Sequence, residues 1–133
     1  MVKKLLYVED MKECYEKTKS TIGSEYIIDW KTDFIDAFNA IKNLEEYSAG
    51  IFDINLDYDS TLPEDKQTTQ GFDLIRFAKM ERERRKIHFP IICVTGNIKY
   101  KSRAMILGAD KFLCKKEFWK NANNFLEEII GTR

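Results

Sequence analysis

Four short apolar runs punctuate the chain, and each ends on a polar residue. Val2 to Val8 carries Leu5-Leu6-Tyr7-Val8 and stops at Glu9-Asp10, Ala49 to Phe52 stops at Asp53, Ile91 to Val94 stops at Thr95, and Phe112 to Cys114 stops at Lys115. Runs that are apolar throughout, without alternation, predict strands buried on both faces. A weaker strand is predicted over Tyr26 to Trp30. Between the strands lie segments of helical period: Met11 to Ile22, Asp33 to Leu44, Phe72 to Arg84, Ile98 to Leu107 and Glu117 to Ile130. Gly23, Gly108 and Gly131 stop the first, fourth and fifth of them. Strands that alternate with helices in this way require right-handed crossovers and a parallel sheet covered on both faces, so the predicted class is α/β, doubly wound.

One connection breaks the rhythm. From Ile54 to Gln70 there is neither strand nor helical period, and Asp57, Asp59, Glu64 and Asp65 stand against Lys66 alone. Connections longer than about 12–15 residues without structure of their own are usually functional or disordered. An inserted acidic loop is therefore expected at about 57–70 within a single domain spanning residues 1–133.

Composition narrows the setting. With 133 residues the chain is long enough to bury a core without disulfides, and 22 basic side chains balance 22 acidic ones. A neutral field gives no reason to expect direct binding to nucleic acid or to an acidic membrane. The three cysteines, Cys14, Cys93 and Cys114, form no C-x-x-C pair, and a single histidine accompanies them. That usage fits a reducing cytoplasm better than a disulfide framework or a zinc site. The apolar start is too short for a signal peptide, and no run approaches the roughly 18 residues of a membrane helix, so a soluble cytoplasmic protein is expected.

Ligands of open parallel sheets collect beyond the carboxyl ends of the strands, where the winding reverses. Glu9, Asp10, Asp53, Thr95 and Lys115 all fall at such ends. Three carboxylates would then share one place, and two like charges about 4 Å apart repel by roughly 4 kcal/mol at an effective dielectric near 20. A cation is needed among them. Oxygen donors without histidine or cysteine favour magnesium or manganese. Carboxylates act as covalent nucleophiles towards phosphorus, and such transfer depends mostly on positioning and charge. Asp53 is the best-placed nucleophile.

These residues resemble the receiver domains of two-component response regulators. Val8-Glu9-Asp10 is similar to the family's acidic pair, Ile51-Phe52-Asp53 to its phosphoacceptor strand, and Val94-Thr95-Gly96 to its hydroxyl followed by a small residue. The stretch from Gly108 to Lys115 resembles its last strand and lysine. The resemblance implies a flavodoxin-like strand order 2-1-3-4-5. It also implies a phosphorylation-dependent switch, not an enzyme with turnover, fed by a histidine kinase or phosphotransfer protein. Output would pass to a downstream protein target, and the fourth and fifth helices would be the face of a homodimer. By the same resemblance Asp10 and Asp53 ligate Mg2+ directly, Glu9 acts through water and Asn55 contributes its main-chain carbonyl. Lys115 and Thr95 contact phosphoryl oxygens, and Phe112 turns inward when Asp53 is modified.

The chain departs from that pattern in three places. Asp57 stands where a proline usually follows the phosphoacceptor, with the next glycine delayed to Gly71. Lys116 replaces the proline expected after the lysine, which puts the cis peptide there in doubt. The segment from Thr95 to Lys115 is about two residues short. These departures leave room for a receiver-like adaptor that signals without phosphorylation.

Blander readings stand beside these. Asp10 before Met11 fits a helix cap. Cys93 and Cys114 fit small core positions, His88 an exposed connection, and Arg82 to Lys86 a solvated helix end favoured by the helix dipole. Asp53, Asn55, Asp57, Asp59 and Glu64 match the ligand spacing of a calcium loop, but Tyr58 stands where that loop needs glycine. A haloacid-dehalogenase-type phosphatase uses a second aspartate two residues after its nucleophile, and here that residue is Asn55. No glycine-rich nucleotide motif is present.

Overall fold

In the computed structural model, residues 3–57 and 60–131 are described, Glu64 by its main chain alone. Tyr58 and Asp59 of the acidic loop lie outside the described residues. In chain order the elements are β1 (Lys3–Val8), α1 (Lys12–Thr21), β2 (Tyr26–Lys31), α2 (Phe34–Ile41), β3 (Ala49–Phe52) and α3 (Gln70–Arg85). They continue with β4 (Ile91–Thr95), α4 (Lys101–Leu107), β5 (Lys111–Cys114), α5 (Lys115–Lys120) and α6 (Ala122–Ile130). Short 3-10 turns fall at Leu44–Glu46, Glu64–Lys66 and Ile98–Tyr100.

The strands form one parallel sheet in the order β2-β1-β3-β4-β5. This is the flavodoxin-like arrangement expected, and its winding reverses between β1 and β3. Successive strand residues face opposite sides, and β3 and β4 are buried on both, while β2 at the edge leaves Ile27 exposed. Leu6, Val8, Phe52, Ile91 and Cys93 pack against α2, α3 and α4, whereas Leu5, Tyr7, Ile51, Ile92, Val94 and Leu113 pack against α1, α5 and α6. Burial on both faces accounts for strands without hydrophobic alternation.

Three predicted elements differ in the structure. The expected helix from Glu117 to Ile130 is two helices, broken at Asn121, whose φ of −140° leaves the helical region. The stripe Phe118, Ala122, Leu126 and Ile130 is buried on one face in both pieces, so spacing by four hid the break. Asparagine is a poor helix former, and Asn123 is engaged elsewhere, its side-chain oxygen accepting the Gly23 N–H at 2.8 Å. The fourth helix is shorter than predicted because Ile98–Tyr100 form a 3-10 turn before it. The third starts earlier, at Gln70, and so takes the last residue of the expected loop.

The connection from Ile54 to Thr69 is anchored at its ends. Ile54 and Leu56 are fully buried, and Gln67 is buried beyond them, with its side-chain amide donating to the Leu62 carbonyl at 3.1 Å. On return, the Gly71 N–H donates to the Ile54 carbonyl at 3.0 Å. A Cβ at Gly71 would collide with the Asp53 carbonyl oxygen and with Ile54 Cα. Glycine is required there by contact with the main chain of residues 53 and 54, which explains its place at the loop's end.

Candidate functional site

The strand register brings the strand-end residues together. Tyr7 pairs with Ile51 and Val8 with Phe52, so Glu9 and Asp53 emerge side by side at the edge where the winding reverses. The Asp53 N–H donates to the Val8 carbonyl at 3.0 Å, locking that alignment. Carboxylate oxygens of Glu9, Asp10 and Asp53 lie within 4.8 Å of one another. Glu9 and Asp53 are buried, and Asp10 is partly so.

Lys115 follows β5, the last strand in the sheet order. Its Nζ lies 2.9 Å from Glu9 Oε1 and 3.2 Å from Asp53 Oδ2. Other groups hold the remaining oxygens: the Ile54 N–H donates to Asp53 Oδ1 at 2.8 Å, and the Met11 N–H to Glu9 Oε2 at 3.2 Å. Lys115 is the first residue of α5, two residues ahead of the predicted helix start at Glu117. No cis peptide occurs among the described residues, the Lys115–Lys116 bond included.

Thr95 closes β4 and is buried. With Asp53, Asn55, Lys115, Met11 and Gly96 it lines a cleft of about 230 Å³ that opens the site to solvent. The Asn55 side chain turns away from the acids: its amide donates to the Thr68 carbonyl at 2.7 Å and to the Tyr100 hydroxyl at 3.2 Å. Phe112 on β5 is half-buried and packs against the α2–α3–α4 core. The N-cap position of α1 is Met11, one residue after Asp10.

The electrostatics show what the set lacks. Burial, and after it the charge of Asp53, pushes the Glu9 carboxyl up to about 8 despite the nearby ammonium of Lys115. Burial would lower Lys115, but the carboxylates of Asp53 and Glu9 outweigh it and hold the ammonium well above the ordinary lysine range. The Lys115 ammonium thus stands against a cluster of three carboxyl groups. Oxygen donors around a site of this size suit a hard divalent cation. The adjacent Cys14 is a poor ligand candidate, because burial and the charge of Glu9 push its thiol up, and its sulfur accepts from Lys115 Nζ at 3.3 Å.

Two neighbours of the site were not anticipated from sequence. Trp30 donates its indole N–H to the Glu9 carbonyl at 2.6 Å while its ring stacks on Tyr15 with centroids 4.1 Å apart, which fixes the main chain of the acidic pair. Cys14 touches the lysine. The helical period over Met11 to Ile22 already set Cys14 and Thr18 on one buried face, four residues apart. The period of the weak β2 strand carried no equivalent sign for Trp30.

No family model and no curated protein matches the chain by sequence. Solved structures do match it by shape. A CheY-like response regulator receiver domain protein from Methanospirillum hungatei is 22% identical with a TM-score of 0.73, over 98% of this chain and 94% of that one. The receiver domain of a sensor histidine kinase from Pseudomonas aeruginosa, crystallised with magnesium coordinated in its active-site cleft, is 20% identical with a TM-score of 0.75, over 99% and 100% of the two chains. The phosphorylated cyanobacterial phytochrome response regulator RcpA is 14% identical with a TM-score of 0.75, over 100% and 97%. The chain has the fold of a response regulator receiver domain.

Among the described residues no helix is long and apolar enough to cross a membrane.

Proposed function

We propose that this chain is a receiver domain that accepts a phosphoryl group on Asp53 from a histidine kinase or phosphotransfer protein. The observation that carries the reading is the Lys115 ammonium set 2.9 Å from Glu9 and 3.2 Å from Asp53, within a cluster of three carboxylates at the strand ends. Asp10 and Asp53, with Glu9 through water and the Asn55 carbonyl, are the residues that would hold Mg2+. When bound, the ion supplies positive charge to the acids and to phosphoryl oxygens. A carboxylate oxygen of Asp53 forms the bond to phosphorus as the phosphoramidate P–N bond of the donor breaks, and the donor imidazole leaves.

The chain's own groups then bind the product. Lys115 exchanges Glu9 for a phosphoryl oxygen, the Thr95 hydroxyl donates to another, and Phe112 moves inward behind it. The module is a switch without catalytic turnover on a separate substrate, and its output is contact with another protein. Three free cysteines fit a cytoplasmic setting.

Incubation with acetyl phosphate and magnesium, read by intact mass, tests this. One phosphoryl group is expected on the wild type and none on Asp53→Asn. A wild type that stays unmodified overturns the reading. It would favour instead an adaptor that signals without phosphorylation, a reading supported by Lys116 where the family has proline and by the acidic loop beside the site.

A further inference from the structure

Away from the cleft, the chain's balanced charge is unevenly spread. Helices α2, α3 and α4 form one layer, with α2 and α4 on either side of α3. The flanks of this layer differ in character. At the α2 end, a cleft of about 590 Å³ lies between the first turn of α2 and the start of α3, bounded by Asp33, Asp36 and Asp57 together with Phe34 and Ile35. Ile35 is 69% exposed there. At the α4 end, residues 97–110 carry Lys99, Lys101 and Arg103 against Asp110, which pairs with Arg82 of α3. Lys99 and Lys101 are exposed beside Ile98, Met105 and Ile106, whose exposures are 68%, 41% and 79%.

Each flank combines apolar side chains with charge of one sign, and the signs are opposite. Exposed apolar groups gathered on one short stretch, rimmed by charge, mark an interaction surface more than scattered ones do. A second copy of this chain presents the complement of each flank. The two copies carry no net charge to hold them apart, with 22 basic and 22 acidic side chains in each. We infer that copies of this chain associate head to tail, the basic and apolar face around α4 of one seated against the acidic and apolar cleft at α2 of the next. Because the two surfaces differ, the contact is heterologous and leaves one free face at each end. This inference does not depend on the phosphoacceptor reading.

Sedimentation velocity of the full chain from ~10 µM to ~1 mM tests it, a range suited to a weak interface. Mass should rise with concentration at about 0.05 M NaCl, and association should weaken by about tenfold at about 0.5 M, where screening is stronger. Two variants assign the faces. Lys99→Glu with Lys101→Glu removes the basic face, and Ile35→Ser with Asp36→Lys removes the acidic one. Each alone should stay monomeric, while an equimolar mixture of the two should give a one-to-one dimer and nothing larger. Circular dichroism and thermal melts check folding, and Ile35→Ser with Asp57→Asn replaces the second variant if Asp36→Lys unfolds. A wild type that is monomeric throughout, a single-face variant that still dimerises, or a mixture that stays monomeric overturns the inference.

Discussion

Asn55 donates its side-chain amide to the Thr68 carbonyl across a separation of 13 residues, tying the end of the acidic loop to the strand that carries Asp53. The same amide reaches the Tyr100 hydroxyl ahead of α4. The loop is therefore held at a point two residues from the proposed phosphoacceptor.

Asn55→Ala removes both bonds and leaves the Thr68 carbonyl without this donor. A loss of about 1 kcal/mol is expected for a net hydrogen bond of this kind. Urea unfolding measures it, and limited proteolysis should cut the loop faster in the variant.

Lys115→Met leaves Glu9 and Asp53 close together without their shared cation. Breaking a buried ion pair costs about 3–5 kcal/mol, and the loss here should be smaller because Glu9 can take up a proton. Thermal melts with and without magnesium report it: the midpoint should fall in chelator, and added magnesium should restore more of it than it adds to the wild type.

Gly71→Ala places a methyl group against the Asp53 carbonyl and Ile54 Cα. Main-chain neighbours cannot swing aside as a side chain does, so a loss of about 1–3 kcal/mol is expected. The rate of Asp53 modification by acetyl phosphate should fall with it. A variant as stable and as fast as the wild type would show that the α3 start shifts freely.

Tyr47 donates its hydroxyl to Asp29 Oδ2 at 2.5 Å. Partial burial works to raise Asp29, but that hydroxyl and Lys31 outweigh it and hold the carboxyl below its ordinary value. A depressed carboxyl stabilises the fold above its unfolded pKa, and that contribution is lost as pH falls through the folded value. Tyr47→Phe should therefore cost about 1 kcal/mol at neutral pH. The gap to the wild type should close in acid, as denaturant titrations at neutral pH and well below the carboxylate range will show.

Much of the fold was legible because burial on both faces writes itself into the strands as unbroken apolar runs. Leu5 to Val8 and Ile91 to Val94 needed no partner to be recognised. The polar residues that end those runs converge for the same reason, since a parallel sheet has one carboxyl edge. What escaped were features set by single contacts. The break at Asn121 leaves the apolar spacing intact, and the Gly71 position depends on main chain far back in sequence. The Trp30 bond to the Glu9 carbonyl joins two strands whose register no local pattern reports.

The break at Asn121 has a mechanical consequence. The six residues of α5 begin at Lys115, while α6 is fastened separately by its buried stripe and by the tie from Asn123 to Gly23. The short leading segment has anchors of its own, buried Phe118 and the Trp119 indole N–H donating to the Thr18 hydroxyl at 2.9 Å, so a pull on the ammonium bears on α1 before it bears on the trailing helix. The acidic edge is thereby joined to a rod barely two turns long that is tied to α1 separately from α6.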